Sequence, residues 1–234
     1  MWLERTALLL GNNRLEVLKN ARVLVVGLGG VGAYAAEMLC RSGIGDITIV
    51  DADVVQASNI NRQLIASHST IGKAKSELMS SRLKDINPQL ILEAQQIFLK
   101  DESIHDILDA KEYDFVVDAI DSVSPKIQLI AGALDRNIPI ISSLGAGGRV
   151  DLSQIMITDI SKTYQCALAR HVRKRLKALG YDKGLPVVFS PERVEKSAII
   201  LVDDELNKVS SAGTISYIPA VFGCYMASYV IGNI

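Results

Sequence analysis

Four glycines, Gly27, Gly29, Gly30 and Gly32, stand at close spacing directly after a short apolar segment. That segment, Arg22–Val26, is typical of a strand buried on both faces, and a helix is expected directly after the glycines. Glycines at such a turn let the backbone approach a phosphate, and the helix N-terminus presents free N–H groups and a partial positive charge. The turn therefore predicts an adenine-nucleotide site.

Two acids, Asp51 and Asp53, follow the next predicted strand, about 20 residues beyond the glycines. A carboxylate at this place can accept hydrogen bonds from both hydroxyls of a ribose. These residues leave the nucleotide open, because nicotinamide dinucleotides and ATP share the adenosine half.

Polar and cationic residues just beyond the acids separate the two alternatives. Asn59, Arg62 and Gln63 form a polar cluster, and Lys73 and Lys75 place two cations before the next helix. A dehydrogenase must keep this region clear for the nicotinamide. Attack on a triphosphate instead gathers charge on phosphate oxygens, which arginine and lysine stabilise. We therefore expect ATP.

A second acidic pair, Asp118 and Asp121, follows the fourth predicted strand. An acid at the carboxyl edge of a parallel sheet can hold the Mg²⁺ that accompanies ATP. The sequence therefore predicts a Mg²⁺ ligand at this edge.

The elements expected to position these residues alternate strand and helix along the chain. Strands are expected at Arg22–Val26, Ile47–Val50, Leu90–Glu93, Phe115–Asp118, Ile138–Ser142 and Ile155–Ile157. Helices are expected at Leu15–Lys19, Val31–Ser42, Lys73–Ile86, Ile127–Arg136, Cys166–Leu179 and Pro219–Ile231. This order favours an α/β fold of the Rossmann type, with a doubly wound, mainly parallel sheet and helices on both faces. A less regular C-terminal extension follows.

The charge of the chain is distributed unevenly. The net charge is −1, yet residues 160–185 contain seven basic residues and one acid. The basic residues of the predicted helix in this segment are Arg170, Arg173, Lys174, Arg175 and Lys177. A local cationic face in an otherwise acidic protein predicts an anionic partner that binds at one place.

The three cysteines, Cys40, Cys166 and Cys224, are far apart and form no Cys-x-x-Cys pair. The pattern predicts neither disulfides nor zinc, and it is typical of a reducing compartment such as the cytoplasm. We expect Cys40 and Cys224 in the core. Cys166 starts a helix and could be reactive, although a packed cysteine is favoured. Glycine and proline interrupt the uncharged stretch Val209–Ile234, which favours a buried helix over a membrane span.

The motifs Gly-x-Gly-Gly-Val-Gly, Asp-x-Asp, Asn-x-Asn-Arg-Gln, Gly-x-x-Lys and Asp-x-x-Asp occur in this order over about residues 5–150. Together they resemble the ubiquitin-activating superfamily, which includes bacterial adenylating enzymes of thiamine and molybdopterin synthesis. The resemblance implies ATP and Mg²⁺ as cofactors. Those enzymes usually hold zinc on two Cys-x-x-Cys pairs, which this chain lacks, so no zinc is expected.

The resemblance also assigns roles to individual residues. Contacts to ATP beyond the glycines are implied for Asp51, Asp53, Asn59, Arg62, Gln63 and Lys75. Asp121 would carry Mg²⁺, and Arg5 resembles an arginine that these homodimers lend to the partner's active site. The implied catalytic residues are Arg5, Arg62, Lys75 and Asp121.

Segments along nearly the whole chain resemble the tRNA threonylcarbamoyladenosine dehydratase branch of the superfamily. They are Arg41–Gly45, Asn59–Gln63, Asp85–Pro88, Asp118–Asp121, Ile140–Gly147, Cys166–Leu176 and Gly213–Pro219. In that branch ATP activates the carboxylate of a threonylcarbamoyl group on the adenosine beside the anticodon. The activated group cyclises, so the net reaction is dehydration. The predicted basic helix would then neutralise tRNA phosphates.

Two other functions remain open at this stage. One is adenylation of the C-terminal glycine of a small sulfur-carrier protein. Besides tRNA, a cysteine desulfurase or a sulfur-acceptor protein is a further expected partner under either reaction. The missing zinc cysteines and the basic helix favour the tRNA reaction over this adenylation. The other is a non-catalytic nucleotide-binding scaffold, which the joint presence of Arg62, Lys75 and Asp121 disfavours.

The length permits one domain over residues 1–234, for which we expect three parts. Residues 1–20 would form an N-terminal arm or helix, and residues 21–150 the nucleotide-binding core. Residues 151–234 would bind the tRNA substrate and pack a dimer.

Overall fold

The computed structural model of the chain describes residues 2–201 and 210–234. The β-strands are β1 (Arg22–Val26), β2 (Asp46–Val50), β3 (Ile91–Gln95), β4 (Phe115–Asp118), β5 (Ile140–Ser143), β6 (Met156–Asp159), β7 (Pro186–Phe189), β8 (Ile199–Leu201) and β9 (Ser210–Ala212). The α-helices are α1 (Glu4–Leu10), α2 (Asn12–Asn20), α3 (Gly32–Ser42), α4 (Lys75–Ile86), α5 (Glu102–Asp109), α6 (Val123–Asp135), α7 (Ala167–Ala178) and α8 (Tyr217–Asn233).

The main sheet of the described residues has the strand order β3-β2-β1-β4-β5-β7-β6. Neighbouring strands are parallel, except that β6 runs antiparallel to β7 at one edge. The order reverses between β1 and β4, and open sheets of this kind bind ligands where their strand order reverses. The predicted α/β fold with a doubly wound, mainly parallel sheet is therefore confirmed.

The two faces of the sheet carry separate apolar layers, as successive residues of β1 illustrate. Val23 and Val25 face the layer that contains α3, α4 and α8, whereas Leu24 and Val26 face α5, α6 and α7. Side chains alternate between faces along a strand, so a strand with helices on both sides must be apolar at every position. This is why the apolar runs predicted the central strands correctly.

The structure corrects several predicted boundaries. The helix expected at Leu15–Lys19 is longer and follows a separate helix, α1, which the apolar pattern did not predict. The helix expected at Ile127–Arg136 begins at Val123, because Pro125 is tolerated in a first helical turn. The remaining predicted elements differ from the observed ones by at most a few residues at either end.

The sequence pattern also missed α5, β7 and the antiparallel pair of strands β8 and β9. β7 is only four residues long and starts with a proline, so its apolar run was too short to indicate a strand. It lies between β5 and β6, so residues 151–189 contribute two strands, β6 and β7, to the main sheet. The extension expected to be less regular thus begins only beyond β7.

Helix α8 covers most of the uncharged C-terminal stretch. Gly223 brings α8 close to α3, because a Cβ at this position would collide with the carbonyl of Val31. Among the helices of residues 2–201 and 210–234, none combines enough length with enough apolar character to cross a membrane.

A lysine, Lys126, is among the largest fully buried side chains of the described residues. The Nζ of Lys126 donates to Asp118 Oδ2 at 2.6 Å, to Ser142 Oγ at 3.0 Å and to the Ser143 carbonyl at 2.9 Å. Both charged side chains are 0% exposed. An ion pair without solvent is tolerated only when its hydrogen bonds are satisfied, and this pair joins α6 to the ends of β4 and β5.

We predict that Lys126→Met destabilises the protein strongly, because it leaves the Asp118 carboxylate buried and unpaired. The free energy of unfolding in urea should fall by about 3–5 kcal/mol. Lys19→Met is the matched control, since Lys19 forms an ion pair of the same length, 2.6 Å, with the exposed Glu16. That control should lose less than about 1 kcal/mol. Equal losses in the two variants would contradict this account of the buried pair.

Candidate functional site

Three parallel strands end side by side, and this brings the glycine turn to the acids. The Gly27 amide donates to the Val50 carbonyl at 2.8 Å, which joins the turn to the end of β2. On the other side, the Ala119 amide donates to the Val26 carbonyl at 2.8 Å. Residues that directly follow β1, β2 and β4 therefore lie at one edge of the sheet.

The glycines of the turn are required by close backbone contacts. Gly27 has φ +91°, and a Cβ on it would lie 2.8 Å from the Ala119 carbonyl oxygen. A Cβ on Gly32 would overlap the Gly27 carbonyl, because α3 begins directly against the end of β1. Val31, the N-cap residue of α3, makes no side-chain hydrogen bond to this helix N-terminus. Amide groups at such a terminus can bind phosphate.

The two acids after β2 differ in their surroundings. Asp51 accepts hydrogen bonds from the Leu28 amide at 2.5 Å and from the Asp53 amide at 2.8 Å, which occupies both carboxylate oxygens. Burial raises the pKa of Asp51, while the charge of Lys75 and these two amides oppose the shift. Asp51 therefore holds the glycine turn in shape, whereas the side chain of Asp53 is 69% exposed.

Lys75, the predicted phosphate-binding lysine, lies beside these acids. Lys75 is only 4% exposed, and its Nζ donates to Asp53 Oδ2 at 2.8 Å. Backbone hydrogen bonds bring the two segments together. The Lys75 amide donates to the Asp53 carbonyl at 3.0 Å, and the Val55 amide donates to the Lys73 carbonyl at 2.9 Å. The ammonium group is thus held next to the carboxylate expected at the ribose.

The polar cluster after Asp53 folds back onto the glycine turn. Asn59 is buried and accepts from the Gln56 amide at 3.0 Å, so its side chain shapes this segment. The Cβ position of Gly30 is 3.5 Å from Arg62 Cγ, and that of Gly29 is 3.8 Å from Gln63 Nε2.

Gln63 carries an unsatisfied polar atom at this place. The residue is 8% exposed, and its Oε1 is buried without a hydrogen-bond partner in the described part of the chain. Buried acceptors without a donor are rare in native proteins, and a bound ligand is one explanation for them. Arg62 is more exposed and donates to the Ser58 carbonyl at 2.8 Å and to Asn61 Oδ1 at 2.9 Å.

The second acidic pair divides into a buried and an exposed residue. Asp118 is engaged with Lys126 and also accepts from the Ile120 amide at 3.1 Å. Asp121 is exposed and accepts from Ser122 Oγ at 3.4 Å. The peptide that follows Asp118 lies against Gly27, which brings Asp121 to the same edge as the glycines. Sequence reasoning missed Lys126, whose only signal was a lysine within an apolar helix.

Arg5 lies far from this cluster in its own chain. It is exposed on α1, and the neighbouring Leu3 packs against Gly43 at the C-terminal end of α3. The glycine turn is at the opposite end of α3, an 11-residue helix. The structure of one chain therefore does not bring Arg5 to the other predicted site residues.

The predicted basic helix is α7, which starts one residue later and ends one residue earlier than expected. Arg170, Lys174, Arg175 and Lys177 are exposed on it. Arg173 is less exposed, and its Nη1 donates to the Thr163 carbonyl at 2.6 Å and also to the Thr163 hydroxyl. One of the five predicted tRNA-binding cations is thus used to hold the loop before the helix.

The cysteines follow the predictions in two of three cases. Cys40 is buried in α3, and burial raises its pKa to about 11. Cys166 is buried at the start of α7, 3.6 Å from the Cβ position of Gly145. Cys224 is exposed on α8, so the prediction of a core position was wrong. An unbroken apolar sequence gives no helical period from which an exposed side could be read.

Comparisons with known proteins agree with this architecture. The model of the ThiF family matches residues 3–234. A Bacillus subtilis tRNA threonylcarbamoyladenosine dehydratase is 39% identical over 97% of this chain and 92% of its own. An Escherichia coli protein of the same name is 41% identical over 82% of this chain and 75% of its own. The solved structure of an E. coli tRNA N6-threonylcarbamoyladenosine dehydratase in complex with ATP superposes with a TM-score of 0.88, at 36% identity, and covers 97% of this chain and 91% of that one.

We predict that Gly32→Ala damages the glycine turn, because its Cβ would overlap the Gly27 carbonyl. Overpacking of this kind should lower the free energy of unfolding by about 1–3 kcal/mol. The affinity for ATP, measured by calorimetry, should fall as well. Gly232→Ala is the control, since a Cβ at Gly232 meets no atom within 4 Å. Unchanged ATP affinity in Gly32→Ala would contradict the proposed contact between turn and nucleotide.

Proposed function

Because this chain belongs to the ThiF family, we propose that it catalyses the ATP-dependent dehydration of threonylcarbamoyladenosine beside the anticodon of tRNA. The observation that carries the proposal is the packing of Arg62 and Gln63 against Gly29 and Gly30 at the carboxyl edge of the sheet. Two related proteins that are named for this activity, and that match this chain over most of their own length, support the choice of substrate.

The residues at this edge fit an adenine nucleotide. The unsatisfied Gln63 Oε1 and the α3 N-terminus without a side-chain cap are places where a ligand can complete hydrogen bonds. Asp53 has the exposure needed to accept hydrogen bonds from the ribose hydroxyls. Asp51 would contribute indirectly, through the shape of the turn.

The triphosphate would lie between Arg62 and Lys75. Adenylation increases the negative charge on the phosphate oxygens as pyrophosphate leaves, and fixed cations stabilise that charge without reorganisation. Lys75 is nearly buried and already paired with Asp53, so its side chain loses little conformational freedom when phosphate binds. In this account Arg62 and Lys75 act on the reacting phosphates.

The chemistry proceeds in two steps. An oxygen of the threonylcarbamoyl carboxylate attacks the α-phosphorus of ATP, pyrophosphate leaves, and a mixed anhydride with AMP forms. An atom of the carbamoyl group in the same side chain then attacks the activated carbonyl carbon. AMP leaves with one carboxylate oxygen, and the carbamoyl group loses a proton. The product nucleoside is therefore lighter by one water, whose elements are accounted for by the hydrolysis of ATP to AMP and pyrophosphate.

Mg²⁺ would be held by Asp121 together with the phosphates, where it would neutralise charge on the leaving pyrophosphate. Among residues 2–201 and 210–234, no three His, Cys, Asp or Glu side chains are arranged to hold a metal ion by themselves. This fits Mg²⁺, which at nucleotide sites is usually bound through one or two carboxylates plus phosphates and water.

The protein would act as a homodimer with tRNA as its macromolecular substrate. The position of Arg5, away from its own site, supports an arginine that reaches the site of a second copy. The free cysteines of the described residues support a reducing compartment such as the cytoplasm. A cysteine desulfurase or a sulfur-acceptor protein would be a further partner.

We predict that the purified protein, incubated with ATP, Mg²⁺ and tRNA that bears threonylcarbamoyladenosine, lowers the mass of that nucleoside by one water. Arg62→Ala should slow the reaction about 10²–10³-fold, because it removes one charge-stabilising donor. Arg136→Ala should leave the rate unchanged, since Arg136 pairs with the exposed Asp109 and has no role at the site.

The same assay separates the alternatives. No mass change, with ATP–pyrophosphate exchange only when a sulfur-carrier protein is added, would replace the tRNA reaction by adenylation of that carrier. Nucleotide binding with neither activity would instead support a non-catalytic scaffold.

We predict that the exposed cations of α7 contribute to tRNA affinity by neutralising phosphates. The triple variant Arg170→Ala, Lys174→Ala, Lys177→Ala should bind tRNA with a weaker salt dependence. The plot of the logarithm of the association constant against the logarithm of the salt concentration should become less steep, by roughly 0.7–0.9 for each phosphate that is no longer neutralised. The KM for ATP should stay the same. Arg173 is left intact because its guanidinium holds Thr163. An unchanged salt slope would exclude these three cations from the tRNA interface.

A further inference from the structure

An aromatic ring stands open to solvent directly before the basic helix. Tyr164 is 53% exposed, although one side of its ring contacts the fully buried Phe189. The two ring centroids are 5.9 Å apart at an interplanar angle of 73°. The edge-to-face contact fixes the tyrosine ring and leaves about half of the residue uncovered.

Tyr164 lies at the same edge of the sheet as the glycine turn. Phe189 ends β7, which is parallel to β5 and pairs Val188 with Ser143. The carboxyl end of β7 is therefore on the carboxyl edge, three strands from β1 in the sheet order. At the usual spacing of neighbouring strands, this separation is roughly 15 Å.

The loop that carries Tyr164 is held rigidly. The Thr163 carbonyl and hydroxyl both accept from Arg173, and the hydroxyl also donates to the Ile160 carbonyl at 2.7 Å. Gln165, on the other side, has φ +54°, a left-handed conformation that L-residues rarely adopt unless the surroundings require it. A ring fixed in this way loses little conformational entropy when it binds a ligand.

Positive charge adjoins the ring. Arg170 and Lys177 are neighbours of Arg173 on the helix surface, three and four residues away, and both are exposed. Because Arg173 contacts the residue before Tyr164, the ring lies at the border of this cationic face. An exposed aromatic ring beside exposed arginine and lysine is the combination that single-stranded nucleic acids require, for base stacking and for phosphate contact.

We propose that Tyr164 stacks on an unpaired base of the tRNA anticodon loop, other than the base that is modified. This inference rests on the proposed function, since it places the loop between the nucleotide site and α7. Arg170 and Lys177 contact the phosphates that flank the stacked base. Arg173 is a positioning residue, which acts through Thr163. The exposed ring of Tyr164 favours an open loop over a paired stem, because bases inside a helix already stack on each other.

The test uses Tyr164→Ala, Tyr164→Phe and wild type with an anticodon stem-loop that carries threonylcarbamoyladenosine. A 2-aminopurine is placed at one other loop position at a time, because its fluorescence is quenched by stacking. Tyr164→Ala should weaken binding about tenfold and abolish quenching at one position. Tyr164→Phe should retain both, since it keeps the aromatic face. The KM for ATP and the melting temperature check that Tyr164→Ala still folds.

Phe98→Ala is the matched control, because Phe98 is an aromatic residue of similar exposure, 48%, that follows β3 at the other end of the sheet. It should bind the stem-loop as wild type does. Normal binding and normal quenching by Tyr164→Ala would overturn the stacking proposal. In that case, dehydration of the tRNA by the wild-type protein would still uphold the proposed function. Absence of stem-loop binding and dehydration in wild type would overturn both.

Discussion

The buried ion pair between Lys126 and Asp118 is the interaction on which the rest of the site depends. Two charges without solvent cost several kcal/mol unless each is paired and hydrogen-bonded, so the elements that supply these bonds cannot move independently. They are the ends of β4 and β5 and the first turn of α6. The peptide that leaves Asp118 is thereby held against Gly27. A core interaction thus determines the shape of the surface turn proposed to bind ATP.

The acids after β2 show how one motif serves two purposes. Asp51 has both oxygens occupied by backbone amides and acts on the glycine turn, whereas Asp53 remains exposed and paired with Lys75. In the proposed reaction the triphosphate competes with Asp53 for the lysine. The ammonium group would exchange one anion for another, which avoids leaving a nearly buried charge without a partner. The pair therefore keeps Lys75 ready for phosphate in the absence of nucleotide.

The carboxyl edge of the sheet connects the two substrates of the proposed reaction. The residues proposed to bind ATP lie at the ends of β1 and β2. Helix α7 begins near the end of β5, where Cys166 adjoins Gly145. From there the exposed cations of α7 extend along the helix. Not every cation has the same task, because Arg173 holds the preceding loop. An RNA loop on this surface can reach the nucleotide while its phosphates remain on the helix.

The sequence by itself determined the fold class and the central strands, and it predicted which residues form the nucleotide site. These features depend on apolar runs and on motifs whose residues are close together in the chain. Only the tertiary structure decided that Asp51 is engaged by the turn, that Gln63 carries an unsatisfied acceptor and that Lys126 is buried. It also placed β7 inside the sheet and Cys224 outside the core. The physical reason is that burial and hydrogen-bond partners depend on contacts between segments that are far apart in the chain. The local periodicity of a sequence does not encode such contacts.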